Sequence, residues 1–203
     1  MWIEKVEQIK KNQYKIFLDS GQIFCVNGKE KKRFHLEENQ ELSDLDYQEI
    51  VSELLEKKAK VKVITLLAKQ DYTEKELRNK LLSAFYPEQV IQKLLMEMKQ
   101  RGYVDDLRYA QHYIEQKSSK MSKLKLQIQL RNKGIEKEIF SSLLEEQNID
   151  EAEQIKKYIE SKFRNVSLQD RKEKYKVYQF FARKGYSSEE IFRVLEEVER
   201  GEE

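Results

Sequence analysis

Asp105 and Asp106 are the residues in this chain whose types suggest acid–base chemistry. Paired carboxylates catalyse when both can reach one reacting atom. Neighbouring residues on a helix point about 100° apart and share no face. This pair therefore makes a poor catalytic dyad. Either residue can instead cap a helix, accepting a hydrogen bond from an orphan backbone N–H. Thiol and imidazole chemistry is no better supplied. Cys25 is the single cysteine, which excludes an intrachain disulfide and a CxxC metal site. His35 and His112 lie far apart and lack metal-ligand spacing. The chain has no glycine-rich phosphate loop and no serine in a nucleophile-elbow pattern. This inventory predicts no catalytic residue, no metal and no cofactor, and hence no enzyme.

Cations supply the other chemistry. From Gln116 to Gly134 there is no acidic residue, but there are Lys117, Lys120, Lys123, Lys125, Arg131 and Lys133. A second basic stretch runs through Arg171, Lys172, Lys174 and Lys176 to Arg183 and Lys184. Acidic clusters follow each stretch. The net charge is only +2, so any polyanionic partner must be met by a local patch. Alternating stripes suit a long, polar, reversible contact surface. They suit solvated helix faces equally well. Tyr175, Tyr178, Phe180 and Phe181 have the ring chemistry to stack bases, and at helical spacing they also read as core.

These residues must be carried by helices. The chain has 203 residues, 37% charged and 39% hydrophobic, with one proline. Periodic apolar residues with many aromatics exclude global disorder. The N-terminus has no signal-peptide apolar region, and no apolar run approaches a membrane span. A soluble, cytoplasmic protein is expected. Ile3, Val6 and Ile9 form an irregular apolar pattern. Tyr14–Leu18 and Gln22–Val26 read as strands joined by Asp19-Ser20-Gly21, a hairpin or small meander. Asn27-Gly28 marks a further turn, and Lys29 to Arg33 is basic and exposed. Ser43-Asp44-Leu45-Asp46 resembles a capping box before Leu45, Ile50, Val51, Leu54 and Leu55. That helix either runs into the next or bends near Lys57 to Lys60.

Three diverged copies follow. Phe85, Gly134 and Gly185 occupy equivalent turns about 50 residues apart, the spacing of a repeated supersecondary unit. Each turn joins a second helix to a third bearing an apolar row. The rows are Val90, Ile91, Leu94 and Leu95; Ile139, Phe140, Leu143 and Leu144; and Ile191, Phe192, Val194, Leu195 and Val198. Thr73-Glu74-Lys75-Glu76 and Ser187-Ser188-Glu189-Glu190 read as capping boxes, and Pro87 suits a first helical turn. Phe85 cannot enter the left-handed region cheaply, so its turn is expected to differ from the glycine turns. The fold expected is mainly α: tandem three-helix, helix-turn-helix-like repeats in an elongated array, with a small N-terminal β-hairpin. The segments are 1–42 (hairpin or meander and linker), 43–58 (connecting helix), and repeats at 59–103, 104–148 and 149–203. A duplex-reading role is disfavoured by charge. The third helices carry Glu138, Glu145 and Glu146, or Glu189, Glu190, Glu196, Glu197 and Glu199. Groove phosphates would repel them.

Between the first and second repeats lies Gly102-Tyr103-Val104-Asp105-Asp106-Leu107-Arg108-Tyr109-Ala110. Physically it closes one helix at Gly102 and opens another. It also resembles the signature of the RecX family, bacterial regulators of the RecA recombinase. Glu76-Leu77-Arg78-Asn79-Lys80-Leu81 before it and Ile128-Gln129-Leu130-Arg131-Asn132-Lys133-Gly134-Ile135 after it extend the resemblance. The match runs from about Ala59 to the C-terminus, and three motifs in order make it specific. Asp105, Asp106, Arg108, Tyr109 and Ala110 match residue by residue, as do Lys133 and Gly134. Gly102 and Gly185 complete the structural signature. Met121-Ser122-Lys123 lacks the glycine and arginine of the family pattern, so no family role passes to Lys123 or Lys125. The resemblance implies a monomer, without cofactor or membrane partner, that binds the RecA filament on single-stranded DNA. It would lie in the helical groove and restrain filament extension, ATP hydrolysis, strand exchange and co-protease action. Weak direct DNA binding would accompany this. Arg108 is either an ion-pair partner or an exposed contact. The contact candidates are Arg108, Lys117, Lys120, Lys123, Lys125, Arg131, Lys133, Arg183 and Lys184. The alternative is a nonspecific nucleic-acid-binding helical repeat without a recombinase partner.

Overall fold

The computed structural model describes residues 1–147 and 149–201. Two compact units divide the chain, Met1–Asp105 and Asp106–Glu203. The first begins with an antiparallel sheet in the order β1 (Ile3–Lys10), β2 (Gln13–Leu18), β3 (Ile23–Asn27). The stretch around Ile3, Val6 and Ile9, irregular in sequence, is thus a strand. Its alternation is broken by register shifts between Ile3 and Lys5 and between Gln8 and Lys10. A bulge adds one residue, so Ile3 and Val6, three apart, pair with Leu18 and Ile16 on one face. Ile16, Leu18, Phe24 and Val26 on that face are buried.

Asn27-Gly28 starts a helix rather than a simple turn. Asn27 Oδ1 accepts from the N–H of Lys29 and of Glu30, at 2.9 and 3.0 Å, and Glu30 accepts from the Asn27 N–H. This capping box opens α1 (Gly28–Arg33), and the basic run Lys31, Lys32 and Arg33 falls in its last turn. Cations there complement the helix dipole.

The long helical stretch runs unbroken through Lys57 to Lys60. It comprises α2 (Asp44–Glu49), a π-helical segment Ile50–Leu55, and α3 (Glu56–Leu67). The backbone stays right-handed helical through both junctions. Its first turn is capped by Ser43, whose Oγ accepts from the Asp46 N–H at 3.1 Å and donates to the Asp46 carboxylate at 2.6 Å. The π segment shifts the helix phase, which lets Tyr47, Ile50, Val51, Leu55, Ala59 and Val63 all face the core. Leu45 does not join them and is 84% exposed. The first repeat continues with α4 (Glu74–Leu82) and α5 (Glu88–Gln100). Thr73 is buried and makes a complete capping box with Glu76. Pro87 is the N-cap of α5, one position earlier than expected, where its missing N–H costs nothing. Sheet, connecting helix and first repeat share one apolar cluster from Ile3 to Val104.

The second unit holds two repeats. One comprises α6 (Asp106–Lys117), a 3-10 turn Ser118–Lys120, α7 (Lys123–Asn132) and α8 (Lys137–Glu146). The other comprises α9 (Glu151–Lys162), α10 (Arg171–Arg183) and α11 (Ser188–Arg200). Each buries its own cluster, around Leu126, Leu130 and Phe140 in one and Val177, Phe181 and Ile191 in the other. Ser122, Asp150, Asp170 and Ser187 supply the caps. Only half of the expected box forms at Ser187. Its hydroxyl accepts from the Glu190 N–H, while the Glu190 carboxylate binds Arg193.

The turn at Phe85 contradicts expectation. Phe85 has φ +60, in the left-handed region with Gly134 and Gly185, both at +88. In all three turns this residue's N–H bonds the carbonyl three back, and the next N–H bonds five back. Tyr86 reaches Leu81, Ile135 reaches Leu130 and Tyr186 reaches Phe181. This is the Schellman closure, whose geometry demands positive φ at its penultimate position. For Phe85 the strain is offset by packing, with the Lys15 ammonium 4.0 Å from its ring centroid.

Candidate partner-binding surface

The family-like signature is a helix junction. Gly102, at φ +71, closes α5 through the same pair of hydrogen bonds, with Tyr103 N–H reaching Met98. Val104 is buried and Tyr103 points out, 58% exposed. Asp106 is the first residue of α6, with Asp105 just before it. Ala110 is fully buried. Tyr109 is half-buried, packed against the core of the second repeat. It stacks on Tyr113 with centroids 6.2 Å apart and planes at 14°. The Lys133 ammonium sits 5.1 Å from the Tyr109 centroid and 5.5 Å from that of Tyr113. Tyr113 donates to Gln129 Oε1. Lys133 of the second motif is thereby brought onto the helix of the first.

The other cations divide between a repeat junction and open surface. At the junction, Ser122 N–H donates to the Lys184 carbonyl at 3.2 Å. Lys184 Nζ donates to the Lys120 carbonyl at 2.7 Å and to the Tyr158 hydroxyl at 3.2 Å. It also lies 4.7 Å from the Tyr158 ring centroid. Lys123 N–H donates to Glu151 Oε1 at 2.7 Å. Gln154 reaches the Ser118 carbonyl at 2.9 Å and accepts from Tyr186 Oη at 2.6 Å. Burial pushes the Tyr186 phenol well above its ordinary pKa. Lys184 is thus a strut between the two repeats. Lys117, Lys123, Lys125 and Lys133 are half-buried, whereas Arg108, Lys120, Arg131 and Arg183 are exposed.

Several groups on the third repeat differ from their sequence reading. Phe180 and Phe181 join the core, but Tyr175 is 57% exposed. Phe192, placed in the apolar row, is 45% exposed and lies against Tyr178, with centroids 5.0 Å apart. A signal for this existed. Aligned on the three turns, Phe192 occupies the position of the polar residues Gln92 and Ser141.

Among the described residues, no three His, Cys, Asp or Glu side chains lie together as a metal site would require. Burial raises the Cys25 thiol pKa, although Lys15 and Lys58 oppose the shift. A raised pKa leaves less of the nucleophilic thiolate. Among the described residues, no helix is long and apolar enough to cross a membrane.

A tandem of three-helix repeats, each with its second and third helices joined by a Schellman turn, defines the class. Family models describe the same three repeats. The first three-helix domain of RecX matches residues 59–96, the second 105–144 and the third 149–195. Regulatory protein RecX of Clostridium acetobutylicum is 30% identical over 97% of this chain and 95% of its own. That of Chlorobium phaeobacteroides is 30% identical over 71% of this chain and 96% of its own. A crystal structure of regulatory protein RecX superposes with a TM-score of 0.60 at 26% identity, covering 97% of this chain and 98% of that one. RecX from Lactobacillus salivarius shares the fold at a TM-score of 0.56 and 21% identity, over 71% of this chain and 97% of its own. The chain belongs to the RecX family, a family of regulatory proteins.

Proposed function

We propose that this protein binds the RecA filament on single-stranded DNA and restrains it. It lies in the helical groove as a cytoplasmic bacterial monomer and limits filament extension, ATP hydrolysis, strand exchange and co-protease action in DNA repair and the SOS response. The observation that carries this reading is membership of a regulatory family along the whole chain, with all three repeat models matched in order. The action is steric and multivalent. Each repeat touches a neighbouring recombinase subunit, and contacts that are weak singly add through effective concentration. Arg108, Lys120, Arg131 and Arg183 are the exposed contact candidates, and Lys117, Lys123, Lys125 and Lys133 are half-buried ones. Lys184 contributes by holding the second and third repeats together. Sedimentation of RecA filaments on single-stranded DNA tests the reading. The protein is expected to pellet with filaments at concentrations where bare DNA carries little of it. Equal pelleting with bare DNA and with filaments overturns it.

A further inference from the structure

Tyr175, Tyr178 and Phe192 form a stack of near-parallel rings on the surface of the third repeat. Tyr175 and Tyr178 lie one turn apart on α10, with centroids 6.1 Å apart and planes at 17°. Tyr178 and Phe192 meet across α10 and α11 at 5.0 Å, again at 17°. The aromatics of the adjoining core pack otherwise. Phe163 and Phe180 cross at 76°, and Phe181 and Tyr186 at 79°, the edge-to-face geometry of a filled interior. The middle ring of the stack is fixed by a 2.8 Å hydrogen bond between the Tyr178 hydroxyl and Ser188 Oγ. Its two outer rings are open to solvent.

A cationic row runs beside the stack. Tyr175 and Tyr178 lie on one line of α10, and Lys172, Lys176, Gln179 and Arg183 occupy the neighbouring line at helical spacing. All four of the latter are exposed. Among the described residues, neither Lys172 nor Lys176 forms a salt bridge. Some other cations in this repeat are matched: Lys174 to Glu199, Lys156 to Glu197, and Arg193 to both Glu190 and Glu197. On the opposite flank of the stack, Glu189 and Glu196 are exposed. The face is therefore polarised, with cations on one side, π faces in the middle and carboxylates beyond.

We propose that this face is a binding site for single-stranded nucleic acid. Bases stack on the open faces of Tyr175 and Phe192, and the phosphates follow Lys172, Lys176 and Arg183. Stacking platforms beside a cationic track are how proteins hold single strands without reading sequence. The carboxylates of α11 repel phosphate and keep the backbone on the α10 side. An apolar peptide would use the rings but would have no need of the unmatched cations. The inference goes beyond recombinase regulation, since it requires no recombinase.

The test is fluorescence anisotropy of labelled oligothymidylate and of an abasic oligomer of equal length, titrated with the full chain at several salt concentrations. The double variant Tyr175→Leu/Phe192→Leu is expected to lose about tenfold or more in affinity for oligothymidylate, given the usual worth of base stacking. Its binding of the abasic oligomer should not change. Tyr175→Trp/Phe192→Trp keeps the π faces and should bind oligothymidylate at least as well as wild type. Lys172→Gln/Lys176→Gln should weaken both ligands and flatten the logarithmic salt slope by about 1.4, at about 0.7 per phosphate contact. Wild-type affinity for oligothymidylate in the well-folded leucine double variant overturns the proposal. So does equal binding of the base-bearing and abasic oligomers by wild type. Because no recombinase is present, neither result bears on filament regulation.

Discussion

Replacing Gly185 by Ala probes the junction that fixes the second and third repeats together. Gly185 sits at φ +88 and closes α10. Left-handed backbone costs an alanine roughly 1–2 kcal/mol. The added Cβ would also lie 2.7 Å from Ser122 Oγ, 2.8 Å from Lys125 Cβ and 3.3 Å from the Lys125 nitrogen. Those atoms form the N-cap of α7, where Ser122 Oγ accepts from Lys125 N–H at 3.1 Å. The backbone nitrogen and Cβ cannot swing away as a side-chain tip would, so the cap must shift. Losing it costs about 1 kcal/mol more. The sum is roughly 2–3 kcal/mol, or a urea midpoint lower by on the order of 1 M. Gly201, at φ +69 with nothing within 4 Å of a built Cβ, is the control in the same unit. Gly201→Ala carries strain alone and should cost about 1 kcal/mol. Urea denaturation followed by far-UV circular dichroism measures both. A Gly185→Ala midpoint no lower than that of Gly201→Ala would refute the junction argument.

Phe85→Gly should be more stable than Phe85→Ala by about 1 kcal/mol, because glycine relieves the left-handed strain while both variants lose the ring over Lys15. The reverse order in thermal or urea denaturation would show that the turn is unstrained. Tyr109→Ala should destabilise by about 2 kcal/mol, less than a fully buried ring would cost, since the ring is only partly buried, against the second repeat's core and Tyr113, with Lys133 over it. A denaturation midpoint equal to wild type would remove Tyr109 from the packing. Lys120→Glu/Arg131→Glu reverses two exposed charges, and it should weaken inhibition of RecA severalfold with the melting temperature held. Unchanged inhibition would take that face out of the filament contact.

Much of the fold was legible because helix ends carry local chemistry. Thr73 and Ser187 stand where orphan N–H groups need acceptors, and Gly102, Gly134 and Gly185 stand where positive φ is needed. What local pattern could not supply was context. The bulge in β1 broke the strand alternation of Ile3 and Val6, and Leu45, two residues before the buried Tyr47 on the same helix, faces away from the core. Phe85 was misread because residue preference argued against left-handed backbone, whereas closure of the helix end and packing against Lys15 prevailed. The surface was harder still. A basic run looks the same whether a lysine faces solvent, as Lys120 does, or bridges two repeats, as Lys184 does. That distinction depends on residues more than sixty positions apart. Phe192 shows the converse case. Its position equivalent to Gln92 and Ser141 marked it as outward-facing, but its apolar character suggested core.

The central claim is that this chain acts on the recombinase filament rather than on DNA alone. RecA-dependent ATP hydrolysis on single-stranded DNA, titrated with this protein, tests it most directly. Regulation of the filament predicts inhibition at well below one copy per recombinase subunit, including on preformed filaments, at concentrations that barely shift bare DNA. Inhibition that appears only when the protein coats the DNA would contradict the account and leave competition for DNA in its place.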